Sequence, residues 1–221
     1  MKKLSIFLLL IVSAAIISCK KSENKLFTPS ANLLVANAVV GGGPLTFGGT
    51  TLTVGLNNSA SFPLLAGQSQ VMLVNNTITP AATYYSQTVS ANNGGNYSLF
   101  LAGPSPDQVD AVLITENYKN YTDSLCGVRF INLSPGSSPI SVSISGQADG
   151  SEVQSLAYKA YSDFKQYPAK RANATYAFQI KDAVAGNIIA NYTLRTPYFH
   201  NVTVVLRGTV GSAGVTLVTH P

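Results

Sequence analysis

The residues that could carry out a reaction are few and widely spaced. Nucleophilic catalysis needs a Ser or Cys beside a general base, and the imidazoles of the sequence are His200 and His220. A trio of Cys126, His200 and Asp182 can be written down, but no known spacing supports it. His220 stands next to the C-terminus, where we expect a mobile side chain. We therefore expect no catalytic residues and keep a hydrolase only as the third hypothesis.

The sequence contains no clear motif for a metal site or a phosphate site. The sequence has no His-x-x-x-His pair, no closely spaced cysteines and no Asp-rich calcium loop. Asp107 with Asp110, and Asp149 with Glu152, could offer ligands to a cation, although such residues commonly form turns. The glycines at 41–43 lack the Lys and the Ser or Thr of a phosphate-binding loop. We expect neither a metal nor a cofactor.

Ionisable residues are missing from most of the first half of the chain. From Phe27 through Pro106, eighty consecutive residues include no Asp, Glu, Lys, Arg or His. Acid–base catalysis, metal binding and phosphate clamping all need such groups. This stretch is therefore a scaffold or a binding surface.

The first residues resemble an export signal. Lys2 and Lys3 precede a fourteen-residue apolar run, Leu4–Ile17. This run is too short to span a bilayer, which takes about 20 apolar residues, but it is typical of a secretory signal. We predict a signal peptide over 1–18.

A lipid attachment point follows. Ser18-Cys19 resembles the end of a bacterial lipobox, in which the Cys thiol receives a diacylglycerol and cleavage falls just before it. That diacylglycerol and a further N-acyl chain give two or three acyl chains, and stable anchoring takes two such signals. Residues 19–27 would then be a lipidated tether with the bilayer as its partner. The alternative is an ordinary secretory signal in which Cys19 is incidental.

The tether and the charge balance suggest a location and a set of partners. Lys20 rather than Asp follows the lipidated Cys, which in Gram-negative lipoproteins usually implies the outer membrane. Glu23 is the single acid of the tether, so the surface and periplasmic orientations both stay open. Residues 124–221 carry eight Lys or Arg against four acids, which suits an anionic polysaccharide, a lipid phosphate or the acidic half of a neighbour. The alternative is that these charges are scattered over solvated strand faces. Export makes nucleic acid an improbable partner.

The apolar pattern predicts strands along the whole mature chain. Apolar and polar side chains alternate over 52–56, 97–101, 140–144, 176–180 and 202–206. Glycine, asparagine and proline clusters separate these segments, which predicts an all-β sandwich. Apolar residues recur at helical steps over 151–167, but we interpret this segment as strand and loop.

The chain repeats itself after about 95 residues. Corresponding segments share their apolar pattern: 33–37 with 128–132, 96–103 with 201–208, and 111–115 with 215–219. The repeat predicts two tandem sandwich domains, 28–118 and 125–221, joined by a hinge over 119–124.

The second repeat opens with a motif of a bacterial family. Residues 128–136, VRFINLSPG, with Ile140-Ser141-Val142 after them, resemble the start of the domain of unknown function 4397. Residues 156–169 resemble its middle, whereas the first repeat matches loosely because glycines stand in place of the Ser-Pro pair. The resemblance implies tandem immunoglobulin- or prealbumin-like sandwiches on a lipoprotein and implies no activity.

Tyrosines offer the remaining binding chemistry. The chain has eleven Tyr and no Trp, and aromatic faces stack on sugars. Tyr84 with Tyr85, and Tyr118 with Tyr121 at the hinge, are candidates for glycan stacking, with core or edge positions as the alternative. Asp123-Ser124-Leu125 resembles an O-glycosylation motif of some bacteria, which makes Ser124 a candidate modification site.

Together these features predict a non-enzymatic cell-envelope lipoprotein whose two sandwiches serve adhesion, protein contact or spacing. Binding of an extracellular glycan is the second hypothesis.

Overall fold

The computed structural model of the protein describes residues 28–220, apart from residues 49, 79, 80, 123, 171 and 173. The predicted signal peptide, the cleavage site at Ser18 and the lipidation site Cys19 lie outside the described residues. Within the described residues the chain forms sixteen β-strands, which confirms the all-β class. No helix in this part of the chain is long and apolar enough to cross a membrane.

The first unit contains eight strands in two sheets. They are β1 (Ser30–Val39), β2 (Leu45–Phe47), β3 (Thr53–Val54), β4 (Ser59–Leu65), β5 (Ser69–Asn76), β6 (Thr83–Ser90), β7 (Asn96–Ser105) and β8 (Gln108–Glu116). The sheet orders are β4-β1-β7-β8 and β3-β2-β5-β6. Strands β1 and β7 are parallel, with Leu33 opposite Tyr97.

The second unit repeats this topology. Its strands are β9 (Leu125–Leu133), β10 (Ile140–Ile144), β11 (Val153–Leu156), β12 (Lys165–Pro168), β13 (Thr175–Asp182), β14 (Ile188–Arg195), β15 (Asn201–Arg207) and β16 (Gly214–Thr219). The orders β12-β9-β15-β16 and β11-β10-β13-β14 match those of the first unit strand for strand, and β9 is parallel to β15. Strands β11 and β12 with the loop between them confirm the strand-and-loop interpretation of 151–167.

Each unit has an apolar core between its two sheets. Successive residues of a strand face opposite sides, so Leu33 and Val35 of β1 enter the first core. Val128 and Phe130 of β9 enter the second core in the same way. The two sheets of each unit are therefore packed as a sandwich.

A third apolar cluster joins the two units. Leu34 and Ala36 of β1 and Phe100 of β7 belong to one cluster with Ile131 of β9 and Val205 of β15. The sheets that contain these strands therefore face each other, and we name them the inner sheets. Their central strands β1, β7, β9 and β15 are buried on both faces, which explains why β1 and β15 contain runs of consecutive apolar residues.

Corresponding ends of the two units lie on the same side. Tyr118 follows β8 and contacts Ser98 near the start of β7 and His220 after β16. On the opposite side, Val39 at the end of β1 and Gly208 after β15 line one cavity. We name the side where β1, β7, β9 and β15 begin the near end, and the side where these strands finish the far end. The described chain starts at the near end.

Candidate functional site

A buried ion pair connects the two units. Arg129 Nη1 donates to Glu116 Oε2 at 2.8 Å, and Nη2 donates to Oε1 at 2.5 Å. The side chains are 3% and 1% exposed, and the guanidinium lies 4.5 Å from the centre of the Phe164 ring. The bidentate geometry satisfies both charges inside the interface. This pair therefore holds the two units together and does not face a ligand.

His220 extends this network through both ring nitrogens. Arg129 Nε donates to Thr203 Oγ1 at 2.8 Å, and the same hydroxyl is hydrogen-bonded to His220 Nε2 at 2.6 Å. His220 Nδ1 is hydrogen-bonded to the Tyr118 hydroxyl at 2.9 Å. Burial, followed by the charge of Arg129, lowers the pKa of His220 to about 3. The expectation of a mobile His220 is wrong, since the residue is 1% exposed.

The catalytic trio considered from the sequence is not assembled. Cys126 is buried in the core of the second unit, and burial raises the pKa of its thiol to about 11. His200 is exposed in the β14–β15 loop at the near end. Asp182 ends β13 at the far end and accepts hydrogen bonds from the backbone N–H groups of Val184 and Ala185. These three side chains therefore do not form a catalytic trio.

Three of the four acids considered as cation ligands, Asp110, Asp149 and Glu152, are paired with lysines of the protein. Asp110 Oδ1 accepts from Lys159 Nζ at 2.8 Å, and this bond crosses between the two units. Asp149 Oδ1 accepts from Lys181 Nζ at 2.5 Å. Among residues 28–220, as far as they are described, no three His, Cys, Asp or Glu side chains cluster as metal ligands would.

The four tyrosines proposed for glycan stacking lie apart. Tyr84 is buried in the first core and its hydroxyl accepts a hydrogen bond from Asn76 Nδ2, while Tyr85 packs against the same core. Tyr118 belongs to the network between the units, and Tyr121 is buried close to Gly127. These contacts give the rings packing partners within the protein and do not form an aromatic platform.

The proposed modification site lies at the start of the second unit. Ser124 is half-buried with φ 58°, and its carbonyl accepts a hydrogen bond from the Ala169 N–H at 2.6 Å. Asp123 of the same motif lies outside the described residues. Glycosylation of Ser124 stays a prediction.

A cavity of about 320 Å³ opens beside the edge strand β12 of the second unit. We name it the edge pocket; its lining residues are Val128, Phe130, Glu152, Ser162, Asp163, Phe164, Lys165 and Tyr167. Glu152 precedes β11 and Lys165 begins β12, so the ends of two edge strands place these charges together. The pocket combines acidic, basic, hydroxyl and aromatic side chains.

Glu152 is the central polar group of the edge pocket. Its side chain is 2% exposed, and Lys165 Nζ donates to Oε2 at 2.8 Å. The Tyr167 hydroxyl donates to the same oxygen. Burial and the neighbouring Glu152 raise the pKa of Tyr167, so this phenol stays a donor. Within the described chain Oε1 has no protein donor, and it is the acceptor left for a ligand.

Aromatic packing fixes the wall of the edge pocket. The Phe130 and Phe178 rings meet edge to face at 5.0 Å, and Tyr167 meets Tyr176 in the same manner at 5.0 Å. Phe164 is anchored by Arg129. A preformed cavity with a few oriented polar groups is the usual form of a small-ligand site.

Neither a protein-family model nor a curated protein matches the sequence. Membership of the domain of unknown function 4397 family therefore stays a prediction.

The fold was also compared with solved structures. One similar structure is CBMbc, of carbohydrate-binding family CBM26, from Eubacterium rectale Amy13K in complex with maltoheptaose. Its sequence is 10% identical, the match covers 84% of this chain and 95% of that chain, and the TM-score is 0.27. Another similar structure concerns alpha-glucan recognition by family 41 carbohydrate-binding modules from streptococcal virulence factors. Its sequence is 14% identical, the match covers 84% of this chain and 96% of that chain, and the TM-score is 0.28. These TM-scores are too low for either likeness to indicate a ligand for this chain.

Proposed function

We propose that this protein is a non-enzymatic lipoprotein of the bacterial cell envelope that binds a saccharide in the edge pocket. The observation that carries the proposal is the buried Glu152 carboxylate, whose Oε2 is held by Lys165 and Tyr167 while Oε1 has no donor within the described chain. A sugar hydroxyl is a donor of suitable size and charge for this oxygen.

The other groups of the pocket suit the same ligand. The Lys165 ammonium can donate to ring or hydroxyl oxygens, and the Phe164 ring offers an apolar face to sugar C–H groups. Because Tyr167 and Lys165 already hold Glu152 in place, little side-chain entropy is lost when a ligand binds.

The saccharide proposal is tested by a glycan array followed by calorimetric titration of the best ligand. Glu152→Gln should weaken binding about tenfold or more, because a hydrogen bond to a charged acceptor contributes about 1.5–3 kcal/mol. Asp149→Asn is the matched control, since Asp149 pairs with Lys181 and does not line the edge pocket. Equal affinities of Glu152→Gln and the wild type, or no bound glycan, would contradict the proposal.

We also propose that Cys19 carries the lipid that holds the protein on the outer membrane of a Gram-negative bacterium. The support is the Ser18-Cys19 motif after an apolar run of signal-peptide length. In cells fed a fatty-acid probe, Cys19→Ser should lose the label. Cys126→Ser, which changes the buried second cysteine, should keep it. Label retained on Cys19→Ser would overturn the anchor.

A second candidate function is contact with an envelope protein, through adhesion or spacing. Val184, Ile188 and Val210 are exposed aliphatic residues at the far end, and two of them line a cavity of about 430 Å³. Grouped exposed apolar side chains commonly mark protein contacts. Loss of a captured partner in Val184→Ser with Val210→Ser, without change in glycan binding, would favour this function.

A further inference from the structure

An exposed aromatic pair stands on the β14–β15 loop at the near end. Tyr198 and Phe199 are 45% and 54% exposed, and their ring centres are 6.2 Å apart. Phe199 has φ 63°, a conformation that bulky residues rarely adopt. Its N–H donates to the Leu125 carbonyl at 2.9 Å, so the loop backbone is fixed while both rings remain in solvent.

Basic side chains lie at the same end. Lys119 is in the connection between the units, Lys170 follows β12, and Arg195 ends β14. All three are exposed, and in the described part of the chain none takes part in an ion pair.

The strand register brings these segments together. Pro168 is opposite Leu125, and Thr175 is opposite Arg195 at the start of β13. Asn201 Nδ2 donates to the Lys119 carbonyl at 3.0 Å, which places the connection beside the start of β15. The structure describes the Glu116 carboxylate at this end, and that carboxylate is buried in its ion pair with Arg129. Among the residues that the structure describes, the exposed charged side chains of the near end are therefore basic.

The N-terminal segment leaves the protein at the same end. The Ser30 carbonyl accepts a hydrogen bond from the Gly94 N–H at 2.8 Å, in the turn before β7. Residue 28 follows Cys19 by nine positions, so an extended tether reaches at most about 30 Å. The tether adds three lysines, Lys20, Lys21 and Lys25, and one acid, Glu23, and therefore contributes net positive charge to this end. A lipid on Cys19 would hold the near end close to the bilayer.

We propose that the near end docks on an anionic lipid surface. Tyr198 and Phe199 enter the interface, and Lys119, Lys170 and Arg195 face lipid phosphates. The inference rests on the proposed lipid on Cys19. Aromatic residues concentrate at membrane interfaces, and each basic residue near an anionic surface strengthens binding about fivefold. The far end is then directed away from the bilayer.

Because the chain has no Trp, a single indole can report the docking. The mature lipidated protein is reconstituted into vesicles of phosphatidylcholine and phosphatidylglycerol with brominated acyl chains. The indole of Phe199→Trp should be quenched and its emission shifted to shorter wavelength. Val184→Trp, at the exposed far-end hairpin, is the matched control and should be neither quenched nor shifted. Tyr198→Trp is the second reporter if Phe199→Trp does not fold.

Substitution of the basic residues tests the charge contribution. Lys170→Gln or Arg195→Gln in the Phe199→Trp background should lower the ratio of docked to undocked protein about fivefold each. Protein that floats with the vesicles while Phe199→Trp stays unquenched would overturn the docking surface and leave the anchor intact. Protein that does not float with the vesicles would overturn both the anchor and the docking, without bearing on the edge pocket.

Discussion

At the scale of single residues, the Glu116–Arg129 pair shows how the chain uses its few charges. The sequence identifies Arg129 as part of a family-like motif, and the structure gives the reason for an Arg there. Its guanidinium reaches a carboxylate of the other unit and the Thr203 hydroxyl at once. The position of Glu116 opposite Arg129 could not be read from the sequence, because it depends on how the inner sheets face each other.

Removing one partner of this pair should lower the free energy of unfolding. Arg129→Met leaves the Glu116 carboxylate buried without its cation, which costs about 3–5 kcal/mol of unfolding free energy. Chemical denaturation measures this loss, and the double variant Arg129→Met with Glu116→Leu should recover most of it. Arg207→Met, which loses a bond to Thr216 at a half-buried site, serves as the control. A cost for Arg129→Met no larger than that of the control would count against a buried structural pair.

His220 should make the protein sensitive to acid. Its pKa is about 3 in the folded chain and about 6.5 when unfolded, so the unfolded state binds more protons between these values. The contribution of His220 to the free energy of unfolding is then fully present above about pH 6.5. It decreases as the pH falls towards 3, by up to about 1.4 kcal/mol per pH unit. Denaturation curves at several pH values should show a shallower fall for His220→Gln than for the wild type. The exposed His200→Gln is the control, and equal slopes for the two variants would refute the assignment.

At the scale of strands, period-two alternation predicts those that have one exposed face. β13 alternates between buried and more exposed side chains, as the sequence pattern indicates. β1 and β15 have consecutive buried residues, which indicates two covered faces but not what covers the second one. The edge pocket was not predicted as a site, because the sequence pattern does not show which strand ends lie side by side. Glu152 and Lys165 are thirteen residues apart, and strand ends bring them together.

The first strand of each unit is stabilised by an asparagine at an equivalent position. Asn132 Oδ1 accepts from the Ser134 N–H at 3.1 Å, and its Nδ2 donates to the Leu156 carbonyl at 3.1 Å. In the first unit Asn37 Oδ1 likewise accepts from the N–H two residues on, that of Val39, while its Nδ2 donates to the Gly43 carbonyl. Asn132→Ala should therefore cost about 1–3 kcal/mol and speed hydrogen exchange over 134–139. The exposed hairpin variant Asn187→Ala should do neither; similar effects from both would contradict this role.

At the scale of the whole molecule, the shared apolar cluster makes one cooperative body of two similar units. Separate units would each expose an inner sheet whose outer face is apolar, as Phe100 and Ile131 show. The chain should therefore unfold in a single transition. Phe100→Ala should lower the stability of both units by about 3–5 kcal/mol. Hydrogen exchange that reports separate unfolding of the two units would contradict a common core.

The central claim is that the protein recognises a saccharide at a charged pocket on the edge of its second sandwich. NMR titration of the mature chain with the best array ligand tests this most directly. The account predicts shifts concentrated at Glu152 and over 162–167, with little change in the first unit. Saturable shifts confined to other residues, or no shifts at any ligand concentration, would contradict it.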